Sequence, residues 1–357
     1  MATVYKTFLN NDIKSTRTLL HESIPITGSI ISGTYTGSGA EQLNIKDYAH
    51  GMFQSVYDYP YLSSSANHIF DLTVGCSNAS ALSASITVQQ AKKINMYNQM
   101  AATLMGYDTT GSVIEFDADG DIAAGGAKIR DAVFVSFARL LQKDEIKKGS
   151  FQMVLGSGSA FATPFSGLLT IADTNAQNSF KVNSAVGEYG ILTCSAPIAD
   201  CATTSSAGLL FYQAGIAVLT ASLFQGCGSG SMGADAIMLD DLVTTLSGAL
   251  TGTSISGCCD AFRHRIQDIS FNNTTELNST IHFCRINNSD FNYSSNPSYL
   301  SQSKIVVKNS QLDAPVSYMT TVGLYGADNE LLAVAKLSEP LKKDPTNEMI
   351  LRVRLDY

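Results

Sequence analysis

The sequence predicts a strand-dominated α+β fold in which a few helices are inserted between β elements. Two observations support this class: period-two alternation with hairpin turns recurs near the C-terminus, and helical spacing occurs in only a few stretches. A chain of 357 residues is long enough for one elaborate domain or for several. We predict an N-terminal mixed β/α domain over residues 1–155, a Gly/Ser/Ala-rich insertion or subdomain over 156–260, and an antiparallel, β-sandwich-like domain over 261–357.

The first 75 residues have extended character and carry an aromatic run with Tyr57, Tyr59 and Tyr61. Pro60 lies inside this run, and proline is disfavoured in the interior of a sheet. The three rings either wedge against a neighbouring element or anchor a subunit contact, where tyrosine is enriched. The sequence leaves both interpretations open.

Helical spacing appears at residues 87–105, where apolar side chains recur every three or four positions. Ser83 or Ser85 is expected to cap this helix, and Gly106 to end it. Residues 130–142 are apolar on nearly every side, so periodicity does not distinguish a strand from a short buried helix there.

Residues 207–224 carry no charge over a length that approaches a bilayer span. Gln213 and Gly215 interrupt the stretch, and its β-branched and aromatic residues favour strands. We therefore predict a core hairpin rather than a membrane helix. Further along the same Gly/Ser/Ala-rich region, residues 234–250 have the pattern of a helix.

One acidic loop has the pattern of a metal site, because Asp117, Asp119 and Asp121 alternate around a glycine as in many calcium loops. An EF-hand loop starting at Asp117 would need glycine and glutamate where this chain has Ile122 and Lys128. We favour a plain acidic loop, with a single opportunistic cation as the alternative. A cation-dependent enzyme is a weaker hypothesis, since no nucleophile or organising base is evident nearby.

The seven cysteines include no Cys-x-x-Cys pair, and the N-terminus lacks the apolar core of a signal peptide. We expect reduced thiols in a protein made in a cytoplasm. The densest Cys/His patch combines Cys258 and Cys259 with Asp260 and His264. Adjacent cysteines rarely chelate one metal well, so a structural zinc is disfavoured and no cofactor is expected.

The formal charge is −8 with 15% charged residues, and no basic cluster is longer than two residues. Nucleic-acid binding normally requires a basic face, so we do not expect it. A surface covered by Ser, Thr, Asn and Gly suits a packed assembly.

The C-terminal third begins with strand-like apolar residues at 266–283, interrupted by Asn/Thr-rich stretches at 272–275 and 278–279 that are interpreted as a turn and a loop. An uncharged loop at 291–299 follows, and it could contact another subunit. Its candidate contact residues are Phe291, Tyr293 and Tyr299.

Residues 303–357 are predicted to form four strands. The first alternates over 304–308. The next two, at 318–325 and 331–337, form a hairpin around the Gly-Ala-Asp-Asn sequence at 326–329. The last, at 349–356, alternates apolar with charged side chains, which indicates one face on a core and one in water.

The hairpin residues Gly323-Leu324-Tyr325 and Glu330-Leu331-Leu332-Ala333-Val334-Ala335 resemble a hairpin of tail-associated structural proteins of tailed bacteriophages. Residues 15–22, 51–61 and 143–151 are similar to segments of virion proteins from contractile-tailed marine phages, particularly those of cyanobacteria. This resemblance spans most of the chain and includes no catalytic motif.

The resemblance implies a non-enzymatic structural subunit of a virion, in the tail, baseplate or neck, synthesised in the host cytoplasm. Its expected partners are other virion proteins and copies of itself in a symmetric ring, without nucleic acid or membrane. Two alternatives are a receptor-binding or fibre-attachment protein using residues 273–299, and a capsid-decoration or head-completion protein.

Overall fold

The computed structural model describes residues 5–31, 35, 42–80, 83, 87–122, 128–156, 163–194, 206–224, 254–292, 300–301, 304–305 and 316–357. The helix predicted at 234–250 lies outside these residues, as do residues 306–308 of one predicted strand.

Strands dominate the described chain, which confirms the predicted α+β, β-rich class. The helices are α1 (Gly28–Ile31), α2 (Val88–Leu104), α3 (Arg139–Gln142), α4 (Ala176–Ser179) and α5 (Ile255–His264), with short 3-10 turns at Asn10–Asp12, Pro164–Ser166 and Ala221–Phe224. The strands are β1 (Ile13–Thr27), β2 (Ile45–Asp47), β3 (Gln54–Tyr57), β4 (His68–Cys76), β5 (Phe116–Asp117), β6 (Lys128–Ile129), β7 (Asp131–Phe137), β8 (Glu145–Ile146), β9 (Gln152–Gly156), β10 (Leu168–Ala172), β11 (Lys181–Ser184), β12 (Gly187–Cys194), β13 (Ser206–Phe211), β14 (Ile216–Thr220), β15 (Ile266–Ile286), β16 (Leu300–Ser301), β17 (Lys304–Ile305), β18 (Ser317–Tyr325), β19 (Leu331–Lys343) and β20 (Met349–Asp356).

The chain forms two compact units, unit 1 (Met1–Leu19 with Glu276–Tyr357) and unit 2 (Leu20–Thr275). The predicted boundaries near residues 155 and 260 do not coincide with these units. The reason is strand pairing: β10 and β12 to β14, which follow the first predicted boundary, belong to the same sheet as β4 and β7. The described strands of the Gly/Ser/Ala-rich region therefore do not form a separate sheet.

Unit 2 is built on an antiparallel sheet in the order β15-β9-β10-β12-β13-β14-β7-β4-β3-β2. Its central strands are buried on both faces. In β7, Val133 and Val135 belong to one core cluster, whereas Phe134 belongs to the cluster on the opposite face. Side chains alternate across a strand, so two apolar faces require an almost continuous apolar run. This explains why residues 130–142 show no periodicity, and the structure resolves them as β7 followed by α3.

Helix α2 confirms the helical pattern of residues 87–105. Thr87, rather than Ser83 or Ser85, caps it, because its side chain accepts a hydrogen bond from the Gln90 N–H at 3.2 Å. The helix lies very close to β4: a Cβ on Gly75 would be 2.8 Å from the Tyr97 nitrogen. Only glycine permits this approach without displacing the helix.

The uncharged stretch at 207–224 forms the predicted core hairpin of β13 and β14. Gly215 adopts the left-handed region at φ 64° in the turn, which glycine tolerates without strain. No helix within the described ranges is long and apolar enough to cross a membrane.

Unit 1 is also antiparallel. Its part of β15 pairs with β20, with Ile281 opposite Arg354 and Ile286 opposite Met349. β18 and β19 form a separate two-stranded sheet, which confirms the predicted hairpin, and Asn329 takes φ 61° in its turn. β19 runs through Pro340 to Lys343, beyond the predicted end at residue 337.

The expected turn at 272–275 and loop at 278–279 are wrong, because β15 is one continuous strand through both. Polar side chains there are satisfied by distant partners rather than by a local turn. Asn273 is 1% exposed, donates to the Leu141 carbonyl at 2.8 Å and accepts from the Glu22 N–H at 3.1 Å. The asparagine thus holds neighbouring segments of unit 2 against the strand.

We expect Asn273→Ala to lower the free energy of unfolding by about 2 kcal/mol, because it leaves a buried donor and a buried acceptor unpaired. Urea titration followed by circular dichroism measures this loss. Asn272→Ala is the matched control, since the neighbouring side chain makes neither contact. Equal stabilities of the two variants would contradict the role assigned to Asn273.

Candidate functional site

Unit 1 has 101 of the 357 residues but carries fifteen of the twenty-four exposed large apolar side chains among the described residues. Four of its described apolar side chains are buried, Ile281, Ile286, Leu324 and Val353, and both core clusters consist of unit 2 residues. The exposed large apolar residues of unit 1 are Tyr5, Phe8, Leu9, Ile13, Leu19, Leu277, Phe291, Tyr318, Tyr325, Leu331, Leu332, Val334, Leu341, Ile350 and Tyr357. Contiguous exposed apolar surface is characteristic of interaction sites, which makes unit 1 the candidate for one.

The hairpin of β18 and β19 exposes several large apolar side chains to solvent. Leu331 and Leu332 are 52% and 71% exposed, and consecutive strand residues point to opposite faces. Val334 is 54% exposed as well. Within the described chain the hairpin is a two-stranded sheet, so its outer edges have no strand partner there. Two-stranded sheets are marginally stable in water, and open edges accept further strands.

A cleft of about 690 Å³ lies entirely within unit 1. Its walls come from residues 5–12, the C-terminal end of β15, β18 and the hairpin turn. Five exposed aromatic side chains line it: Tyr5, Phe8, Phe291, Tyr318 and Tyr325. Tyr5 packs against Tyr325 with ring centroids 4.8 Å apart. This contact links the N-terminal segment of the chain to the hairpin of β18 and β19 at the cleft.

Two ion pairs border the cleft. Lys6 pairs with Asp290, and Arg285 pairs with Asp12. The Lys6 ammonium, with the Asn287 N–H, lowers the pKa of Asp290. The Leu9 N–H, followed by the Arg285 guanidinium, lowers the pKa of Asp12. Both carboxylates are thus ionised at neutral pH, and each cation of the cleft has its own counter-charge.

The predicted contact residues fall in different places. Phe291 is 50% exposed and lines the cleft, whereas Tyr293 and Tyr299 lie outside the described residues. Tyr57 and Tyr61 pack against each other in unit 2, with ring centroids 6.2 Å apart.

Tyr59 lies apart from that pair. Its ring meets the edge of Tyr35, and its side chain is 45% exposed. The three tyrosines of the N-terminal run therefore contact neighbouring segments of their own unit, and the structure does not bring them to the cleft.

The acidic loop brings its three carboxylates together, with one oxygen from each of Asp117, Asp119 and Asp121 within 4.8 Å of the others. Asp117 is fully buried and forms an ion pair with Lys128, at the position where an EF-hand would place glutamate. The Asp119 N–H donates to Asp117 at 3.3 Å, and the Asp121 N–H donates to Asp119 at 3.2 Å. The loop is therefore organised by its own ammonium and amide groups.

Sequence reasoning missed a polar cluster of Ser55, His68 and Asp71. The Ser55 hydroxyl donates to the Asp71 carboxylate, and His68 Nε2 lies 2.8 Å from the same oxygen. A catalytic triad places histidine between the hydroxyl and the acid, whereas here the acid lies between the other two. This arrangement cannot activate the serine through the imidazole.

The Cys/His patch at the start of the last third lies on α5. Cys258 and Cys259 are buried, and burial raises the pKa of both thiols. Neutral thiols are poor nucleophiles and poor metal ligands. Among the described residues, the acidic loop is the one cluster whose His, Cys, Asp or Glu ligand atoms lie close enough for a metal.

Comparison of the chain with protein-family models, curated proteins and solved structures finds no match.

We expect Lys128→Met to lower the free energy of unfolding by about 3 kcal/mol, because it leaves the buried Asp117 carboxylate without a counter-charge. Chemical denaturation followed by tyrosine fluorescence can measure the change, since the chain has no tryptophan. The double variant Asp117→Asn/Lys128→Met should recover most of the loss. A Lys128→Met protein as stable as wild type would show that the pair does not organise the loop.

Proposed function

We propose that this protein is a structural assembly subunit of a bacteriophage virion, in the tail, baseplate or neck, and that it acts through protein–protein contacts without catalysis. The observation that supports the proposal best is the exposed apolar hairpin of β18 and β19, in a unit with few buried side chains. Such a surface is costly in water and is covered in a stable assembly.

The hairpin offers two modes of contact. Its outer edges can accept a strand from a neighbour through backbone hydrogen bonds. Its exposed leucines and valine can fill pockets on that neighbour, which supplies apolar burial. In such a contact the hairpin of one subunit binds a different surface of the next subunit, so the interface is heterologous. Heterologous contacts form a closed ring when the rotation between subunits permits it.

The phage context comes from the resemblance. Residues 322–337, which resemble a hairpin of tail-associated proteins, form the hairpin that exposes Leu331, Leu332 and Val334. The partners proposed are copies of this chain and other virion proteins, and the location proposed is the virion, after synthesis in the host cytoplasm.

We expect Leu332→Asp to weaken self-association about tenfold or more, because a charge in the hairpin contact must be desolvated. Sedimentation velocity over a range of concentrations measures the association. Leu62→Asp is the matched control: Leu62 is 85% exposed but belongs to unit 2. Circular dichroism should show that both variants remain folded.

Two results would contradict this proposal. The first is a wild-type chain that stays monomeric up to about 1 mM, where even weak specific contacts form. The second is a Leu332→Asp variant that associates as wild type does.

A further inference from the structure

We propose that the cleft of unit 1 is a binding site for a neutral oligosaccharide. The site is distinct from the hairpin residues Leu331, Leu332 and Val334, to which the assembly contact is assigned, and it does not depend on that contact. The cleft volume of about 690 Å³ falls within the range of roughly 300–1,000 Å³ typical of small-molecule sites. It therefore has room for a ligand of a few sugar rings.

The aromatic lining supplies the first part of the argument. Tyr5, Phe8, Phe291, Tyr318 and Tyr325 are between 36% and 56% exposed, although they line one concave surface. Exposed aromatic rings that line one concavity can stack on a flat ligand. Pyranose rings present flat C–H faces of that kind.

The charges of the cleft decide between ligand classes. Lys6 and Arg285 are each paired with an aspartate, so an anionic ligand would have to compete with an internal carboxylate. A cationic ligand would have to displace one of these side chains. A purely hydrocarbon ligand would remove water from both ion pairs and could not replace the hydrogen bonds that this water makes to them. A neutral ligand rich in hydroxyl groups incurs none of these costs.

Polar groups for such a ligand are present along the walls. Arg285 is exposed and has five N–H donors, of which the Nε donor is bonded to Asp12. Thr321 and Asn329 are also lining residues, and their side chains carry a hydroxyl and an amide. Hydroxyl groups both donate and accept, so they can bond to all three.

One backbone edge of the cleft wall is closed to an added peptide strand. From Phe283 to Ile286, β15 pairs with β20 along that edge. Recognition along that edge depends on side chains rather than on strand addition.

The experiment uses the full chain and isothermal titration with maltotriose, cellotriose, triacetylchitotriose and mannotriose, together with the anionic 3′-sialyllactose. We expect at least one neutral trisaccharide to bind with a Kd of about 1 mM or tighter. Tyr318→Ala should weaken that binding about tenfold, and Tyr318→Phe should keep it. Tyr107→Ala is the control, because Tyr107 is 64% exposed but belongs to unit 2.

Three results would overturn the proposal: no binding of any neutral trisaccharide at about 10 mM, binding of 3′-sialyllactose alone, or binding that Tyr318→Ala leaves unchanged. The association experiment on Leu332→Asp separates this site from the assembly contact. Sugar binding without self-association supports the sugar site and contradicts the assembly proposal. Self-association without sugar binding supports the assembly proposal and contradicts the sugar site.

Discussion

Burial of apolar surface is the constraint on which the architecture depends, and it is divided unevenly between the two units. In unit 2 the central strands are covered on both faces, and the two core clusters lie within that unit. Unit 1 relies on strand pairing, aromatic contacts and ion pairs, with four described apolar side chains buried. A unit of this kind gains stability when a partner covers it.

The division also separates stability from recognition. Substitutions inside the sheet of unit 2 act on folding, because close contacts such as Gly75 against the backbone near Tyr97 leave no space. Substitutions of exposed side chains such as Leu332 of the hairpin and Tyr318 of the cleft change residues that already face solvent. The two kinds of effect can therefore be measured independently in one chain.

Local signals predicted much of the fold. The turn residues at 326–329, the glycine at 215 and the helical spacing of residues 87–105 each specify an element through neighbouring positions. β15 was missed because its asparagines and threonines favour turns locally. The Leu141 carbonyl, to which Asn273 donates, lies 132 residues away along the chain. No pattern within a short window contains that information.

The candidate site was predicted less well, for the same reason. Phe291 was singled out from an uncharged aromatic loop, and it does line the cleft. Tyr5 and Tyr325 come from opposite ends of the chain, and their contact becomes evident only in the folded unit. Exposure of Leu332 was also hidden, since an apolar residue in a strand is ordinarily expected to be buried.

The most direct test of the central claim is a cryo-electron microscopy map of purified virions in which this chain is traced. The account predicts that the chain is part of the tail, baseplate or neck and that a neighbouring subunit covers Leu331, Leu332 and Val334. A particle that lacks the chain, or a map in which the hairpin of every copy faces solvent, would contradict it.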